Sequence, residues 1–263
     1  MAMLVFGGTG GLGRELARQA RAAGERVTAA GSRDADLRRF GEVEALVGRV
    51  RPKVVINAGY RQDDWAATAD GAAHVAVAAV RAGARLVHVS SDAVFSGADG
   101  TFDEACVPVP ATMYGAAKAA AETAVRAVDA GAVVARTSLI VGDASTVIVA
   151  RVHALAAGTG DGLLFTDDFR CPVHVQDLAA ALLELAASPY AGVHHVAGPD
   201  AVSRYELGLL IAARDGLDAS RLRAGSRAAA GVGGAGDIRL DGVLTRSRLS
   251  TRLRGAAEFL SAA

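Results

Sequence analysis

The chain has 263 residues, 51% of them apolar, and its 28 basic residues are balanced by 28 acidic ones. That length can bury a sizeable core, as one α/β domain or as a domain with an appendage, and the charge balance supplies no bulk field to recruit nucleic acid or anionic lipid. Cys106 and Cys171 stand far apart with neither a CxxC nor a His-x3-His partner, which argues against a metal site or a disulfide scaffold and suits a reducing cytosol.

In chain order, "MLVFG" (3–7) reads as a buried strand and "GLGRELARQARAAG" (11–24) as a helix closed by Gly24. "ERVTAA" (25–30) is a second strand, and "RRFGEVEALVGRVR" (38–51) a helix stopped by Pro52. "KVVINAG" (53–59) and "RLVHVSS" (85–91) are strands separated by a helix over 66–83. A helix follows Pro110, and "AVVARTS" (132–138) is the next strand. Strand and helix alternating at this spacing predict parallel βαβ units, a Rossmann-type doubly wound α/β sheet covered on both faces.

After Gly142 the rhythm loosens. A helix is expected over 173–188 and a short strand over 192–198. "SRYELGLLIAARDG" (203–216) opens with Ser203 and Glu206 at capping-box spacing and ends at Gly216. The 221–237 stretch reads as a Gly/Ala/Arg loop, and a last amphipathic segment runs from about 247 to 260. The expected division is a cofactor domain over 1–142, with elements of about 166–198 returning to it. A small C-terminal substrate lobe takes about 143–165 and 199–263. Arg136 and Glu184 interrupt the longest apolar runs, so none is long enough to span a bilayer. The start of the chain lacks the pattern of a signal peptide. A cytoplasmic location is expected.

"VFGGTGGLGRE" follows the first strand directly and opens the first helix. Two registers fit it, Gly8-x-Gly10-x-x-Gly13 and Gly7-x-x-Gly10-x-x-Gly13. Either lets backbone approach a pyrophosphate, whose charge then meets helix N–H groups and the positive end of the dipole. After the second strand, where an acid would accept hydrogen bonds from an adenosine ribose, stand Ser32 and Arg33, with Asp34 a step later. A guanidinium beside a hydroxyl suits a 2′-phosphate. The expected cofactor is therefore NADPH, with NADH the alternative.

"PATMYGAAKAAAE" (110–122) holds a tyrosine and a lysine four residues apart, and Lys118 is one of two lysines in the chain. Tyr114 and Lys118 share one helix face. Ser91 ends a strand at the carboxyl edge of the sheet, where ligands bind. With a dinucleotide on the glycine loop, the Lys118 ammonium can hold ribose hydroxyls and lower the Tyr114 phenol's pKa. Tyr114 then protonates a carbonyl oxygen that Ser91 also hydrogen-bonds.

These stretches, "GGTGGLG", "NAG", "VSSDAVFSG" and "YGAAK", resemble the short-chain dehydrogenase/reductase superfamily. Within it the chain is most similar to the nucleotide-sugar reductases typified by dTDP-4-dehydrorhamnose reductase, through most of its length. The resemblance implies an NAD(P)H-dependent reductase with Ser91, Tyr114 and Lys118 as catalytic residues. It implies cofactor contacts at Gly7, Gly10, Gly11, Leu12 and Gly13, at Ser32, Arg33, Asp36 and Leu37, and at Asn57, Ala58 and Gly59, with Tyr114 and Lys118 shared. Asp36 would sit by the adenine and Asp92 near the substrate. The substrate it implies is a nucleotide-activated 4-keto-deoxysugar, and a homodimer is compatible with it. Ala93, Leu139 and Val141 depart from the family, which commonly carries aromatics there.

Arg170 is a candidate clamp for a substrate diphosphate, or an ion-pair partner of Asp167 or Asp168. His88 and His174 read as hydrogen-bonded packing residues, and His194 and His195 as facing opposite sides of a strand. Asp63 and Asp64 are expected to cap the following helix, and Glu122 to mark a solvated helix side. Two competing readings remain open. One is a non-catalytic cofactor-binding regulatory subunit. The other is a reductase or epimerase acting on a different small carbonyl compound. A dehydratase is disfavoured because Ala93, not glutamate, follows Asp92.

Overall fold

The computed structural model describes residues 2–97, 100–144, 146–234 and 236–261. The parts of the expected domains that fall on Met1, Ala98, Asp99, Ser145, Ala235, Ala262 and Ala263 lie outside the described residues.

Six parallel strands form the central sheet: β1 (Ala2–Phe6), β2 (Arg26–Ala30), β3 (Val54–Asn57), β4 (Arg85–Ser91), β5 (Val133–Thr137) and β6 (Gly192–His195). Their order is β6-β5-β4-β3-β1-β2. β1, β3 and β5 are near-continuous apolar runs because helices cover both faces of a parallel sheet. Successive side chains alternate between those faces. Met3 and Val5 pack with Leu16 of α1 (Gly11–Ala22) and with Leu178, Leu182 and Leu185 of α6 (Val175–Ala187). Leu4 and Phe6 pack on the other side, with α2 (Phe40–Val50), α3 (Gly71–Arg81) and α4 (Met113–Val128). Leu16, Leu178 and Leu182 are fully buried, each contributing roughly 1.5–3 kcal/mol of hydrophobic stabilisation.

The chain steps from β1 out to β2, returns across β1 to β3, and continues in the opposite direction. This reversal leaves a crevice at the carboxyl ends of β1 and β3, where open α/β sheets bind ligands. The chain between β2 and α2 adds no strand, so β2 is the sheet edge.

A second cluster joins α5 (Val147–Ala157) to α7 (Arg204–Asp215) through Val149, Val152, Leu155, Leu207 and Ile211. The capping box forms as expected: Ser203 Oγ accepts from Glu206 N at 3.1 Å and Glu206 Oε2 accepts from Ser203 N at 2.8 Å. Asp64 also caps as expected, its Oδ1 accepting from Ala67 N at 2.9 Å. α5 was not expected. Its apolar residues lie almost all round the helix, so no periodic stripe marks it.

The last segment corrects the expectation of one amphipathic run. It breaks into α8 (Val243–Arg248) and α9 (Ala256–Phe259), joined by an extended stretch. Carboxylates on α6 hold that stretch. Glu184 accepts from the backbone N–H of Ser250 and Thr251 at 2.6 and 2.8 Å, and Asp177 from that of Arg254 at 3.1 Å. These N–H groups bond to side chains and are lost to any helix. Among the described residues no helix is long and apolar enough to cross a membrane.

Candidate active site

The loops leaving β1, β3, β4 and β5 enclose a cleft of about 710 Å³. It is lined by Gly7, Gly10 to Gly13, Ala58, Ser91, Asp92, Tyr114, Lys118 and Arg170, so it brings together both halves of the predicted site.

The glycines are demanded by close packing. Gly7 has φ +72°, and a Cβ there would lie 2.7 Å from the Ala58 carbonyl. A Cβ at Gly8 would lie 2.6 Å from the Ala29 backbone, and one at Gly13 would lie 2.2 Å from Gly7 O. Both registers of the motif are thus in use, joining β1 to β2, to β3 and to α1. A Cβ on Gly11 meets nothing within 4 Å, so the protein itself does not require that glycine. Gly10 caps α1 without a side-chain hydrogen bond, and the first turn holds no acid. Its N–H groups therefore present an uncontested positive end to the cleft.

Ser91 Oγ donates to Asp92 Oδ1 and accepts from Ala93 N, both at 3.2 Å. Tyr114 stands in the first turn of α4, whose N-cap Thr112 accepts from Gly115 N at 3.0 Å. Gly115 lets α4 press against the turn after β4, where a Cβ would sit 2.0 Å from Ala93 O. That approach brings the phenol to Ser91. Burial raises the Tyr114 phenol above its usual range, Tyr60 adds to this, and the Ser91 hydroxyl acts the other way.

Lys118 Nζ is buried, donates to Val89 O at 3.0 Å and lies 4.8 Å from the centre of the Tyr60 ring. The Tyr60 and Tyr114 rings are 5.6 Å apart. Burial lowers Lys118 to about 8, and Glu122 opposes that shift. Burial thus outweighs the expected lowering of the phenol by the lysine. Desolvation governs both groups, and the ammonium is turned to a carbonyl and an aromatic face.

Glu122 also overturns its expectation. It is buried, accepts from Ser90 Oγ at 2.5 Å, and is gripped by the Arg136 guanidinium at 2.8 to 3.2 Å. Arg136 stacks over the Phe95 ring at 5.0 Å. His88 behaves as a packing residue, its Nδ1 3.3 Å from Asn57 Nδ2, and burial lowers it to about 3. His194 and His195 are both fully buried, the first beside Tyr190 and the second beside Phe95.

Beyond Asp92 the cleft becomes cationic. Arg170 pairs with Asp168 at 2.8 Å and with Asp92 at 3.5 Å, so the ion-pair alternative describes it. Arg204 and Arg227 also reach Asp168, at 3.3 and 3.4 Å. With Arg151, four guanidinium groups and two carboxylates line this end.

Six expected cofactor residues lie outside the cleft lining: Ser32, Arg33, Asp36, Leu37, Asn57 and Gly59. Ser32 and Arg33 occupy an exposed turn after β2. Asp36 is held by Arg38 at 2.6 Å, which lowers its carboxyl to about 2. Leu37 packs where a Gly59 Cβ would be, 2.8 Å away, and Asn57 Oδ1 accepts from Gly59 N at 3.1 Å.

A family model described as the RmlD substrate binding domain matches residues 1–233. The chain belongs to that family. It is 35% identical over 238 residues to dTDP-4-dehydrorhamnose reductase of Mycobacterium tuberculosis, covering 84% of this chain and 78% of that protein. It is 28% identical over 250 residues to methionine adenosyltransferase 2 subunit beta of Xenopus laevis, covering 84% and 74%. The crystal structure of dTDP-4-dehydrorhamnose reductase from Bacillus anthracis in complex with NADP superposes with a TM-score of 0.89 at 23% identity, over 98% of this chain and 96% of that one. The last likeness establishes the Rossmann-like α/β fold.

In this RmlD-family chain, sequence reasoning missed Tyr60, the Glu122–Arg136 pair and the arginines around Asp168. Tyr60 carries a signal, an aromatic directly after "NAG" at a strand's carboxyl end. Arg136 carries one too, since an arginine inside an otherwise apolar parallel strand requires a buried acid. Arg204 and Arg227 carry none, because their segments show no local pattern that points at the cleft.

Proposed function

We propose that this chain is an NADPH-dependent reductase that converts the ketone of a nucleotide-activated 4-keto-deoxysugar to an alcohol. The observation that carries this reading is the meeting of Ser91, Tyr114 and Lys118 with the glycine loop in one cleft. Gly7, Gly10, Gly11, Leu12 and Gly13 would receive the cofactor pyrophosphate at the open N-terminus of α1, with Ala58 beside it. Ser32 and Arg33 would meet the adenosine ribose phosphate, with Asp36 and Leu37 toward the adenine and Asn57 and Gly59 behind the nicotinamide side. When bound, the nicotinamide supplies the hydride.

The residues manage the proton. Ser91 orients the carbonyl oxygen, and Tyr114 gives that oxygen its proton as negative charge develops on it. A phenol held above its usual pKa stays protonated at neutral pH, yet remains a far stronger acid than the alcohol being formed, so the transfer runs downhill. Lys118 positions ribose hydroxyls and supplies positive charge near the phenolate left behind. Residues 1–142 and about 166–198 would form the cofactor domain, and 143–165 with 199–263 the substrate lobe. There Arg151, Arg204 and Arg227 would face the substrate diphosphate, with Asp92 near the sugar and Arg170 bracing Asp92. Two free thiols suit a cytoplasmic setting.

The test is Tyr114→Phe. It should bind NADPH within about threefold of the parent, while reduction of a nucleotide 4-keto sugar falls by about 10² to 10⁴. Equal loss of binding and turnover would make the tyrosine structural and overturn the reading. The likeness to a methionine adenosyltransferase beta subunit favours a second reading, a non-catalytic cofactor-binding subunit. Its signature would be a stable complex with a partner enzyme and no NADPH oxidation over a panel of ketones.

A further inference from the structure

The stretch "SRAAAGVGG" (226–234) forms no helix or strand. Ala228, Ala229 and Ala230 are exposed, and Val232, its largest apolar side chain, stands 43% exposed. Alanine and glycine bury too little apolar surface to offset the backbone entropy that ordering such a stretch costs. It is tied down just outside its ends, where Gly225 pairs with Phe165 and Gly236 O accepts from Phe169 N at 2.7 Å. Within it, three successive residues turn their donors to one carboxylate. Asp167 Oδ1 accepts from Arg227 N at 2.6 Å, and Asp167 Oδ2 accepts from Ala228 N at 3.0 Å and from Ser226 Oγ at 2.7 Å. The N–H groups of Ala228 and Arg227, and then the Ser226 hydroxyl, lower the Asp167 carboxyl to about 2, so it accepts as an ionised group at neutral pH.

The strap that Asp167 fastens runs toward α4. A Cβ on Gly234 would lie 3.6 Å from Thr112 Cγ2, on the N-cap of the helix that carries Tyr114. Thr112 and Arg227 both line the cleft. The Arg227 side chain has donors to offer there. Its Nη1 lies 3.4 Å from Asp168 Oδ2, its Nη2 donates to Gly233 O, and its buried Nε has no hydrogen-bond partner. Asp168 is held more closely by Arg170, at 2.8 Å. The two neighbouring carboxylates thus divide the work, Asp167 fixing the Arg227 backbone and Asp168 steering its guanidinium.

We propose that Asp167 is a positioning residue for the diphosphate of the nucleotide sugar, acting through Arg227. Its carboxylate fixes the backbone from which that guanidinium enters the cleft. This rests on the reductase reading for the ligand's identity and deepens it. Hydrogen bonds from a guanidinium to phosphate oxygens are directional. A loosened strap therefore loses affinity at the diphosphate, while the glycine loop, Ser91, Tyr114 and Lys118 keep their own supports.

Asp167→Ala, Arg227→Ala and the double variant decide the matter, with thymidine diphosphate as the probe. Its Kd, by calorimetry with NADP present, should rise about tenfold in each single variant. The double variant should add no more than about twofold, because Asp167 acts only through Arg227. In Asp167→Ala the KM for a thymidine diphosphate-linked 4-keto-6-deoxyhexose should rise, with kcat and NADPH Kd within about threefold of the parent. Asp167→Asn, which keeps one acceptor oxygen, should fall between the parent and Asp167→Ala. Effects that multiply in the double variant would make Asp167 independent of Arg227 and overturn the proposal. An unchanged Kd in Asp167→Ala would do the same, as would a joint loss of kcat, NADPH binding and melting temperature. Coupled binding of thymidine diphosphate by a parent that reduces no 4-keto sugar would sink the reductase reading and leave the positioning role standing.

Discussion

Arg136 holds Glu122 with two nitrogens, at 2.8 and 3.0 Å, one helical turn from Lys118, in a pair whose side chains are 1% and 3% exposed. Such a pair is tolerated because each charge satisfies the other, and removing one partner strands the remaining charge in low dielectric. Glu122→Gln is expected to cost about 3–5 kcal/mol, read as a lowered urea midpoint at unchanged slope. The double variant Glu122→Gln/Arg136→Met should recover a large part of that loss. Equal destabilisation by the single and double variants would show that packing, and not the stranded guanidinium, carries the cost.

Lys118 is expected to set an alkaline limit on activity. Its ammonium is lowered from 10.5 to about 8, first by burial, with Glu122 pulling the other way. The groups facing it are the Val89 carbonyl, the Tyr60 ring, His88 and Glu122. kcat/KM for NADPH should fall with an apparent pKa near 8. Tyr114, shifted upward, stays protonated across that window. For stability the sign is opposite to that of an ion-paired lysine. The unfolded chain binds the proton more tightly between about pH 8 and 10.5, so this group's contribution to stability rises across that interval. A pH–rate profile flat to pH 10 would remove the lysine from cofactor handling.

Gly115→Ala tests the geometry that joins Tyr114 to Ser91. The added methyl would lie 2.0 Å from Ala93 O, a backbone atom that cannot move aside without shifting the turn behind Ser91. The expected outcome is a kcat reduced by about tenfold or more, with NADPH affinity retained, since small misplacements of reacting groups are costly. An alanine variant with parental kcat would show that the turn gives way freely.

His88 is held neutral in the core, lowered to about 3 by burial and then by Lys118. Its folded value lies below the unfolded one, so the stability it permits at neutral pH is lost as pH falls from about 6.5 toward 3. Thermal melts should therefore decline over that interval, and His88→Gln should flatten the decline. An unchanged slope in the variant would assign acid sensitivity elsewhere.

The sheet was largely legible because β1, β3 and β5 carry short runs of consecutive apolar residues, the signature of a parallel sheet covered on both faces. The Gly7–Gly13 loop and the Tyr114–Lys118 spacing were legible for a similar reason, since each depends on local geometry. What escaped depended on partners far along the chain. Glu122 reads as a surface charge until Arg136 is placed beside it from β5. The extended stretch after α8 reads as helical until Glu184 and Asp177 claim its N–H groups. The direction of the Tyr114 shift depends on how deeply a neighbouring loop buries it, which spacing on one helix does not encode.

Because among the described residues no further strand lies outside β2, the turn bearing Ser32 and Arg33 faces solvent on its outer side. Any discrimination between cofactors that rests on the Arg33 charge would be made at a solvent-exposed site and weakened by salt, with a Debye length of about 8–10 Å at physiological ionic strength. Preference for the phosphorylated dinucleotide would then be a property of the medium as much as of the protein, wide in dilute buffer and narrowing as ionic strength rises.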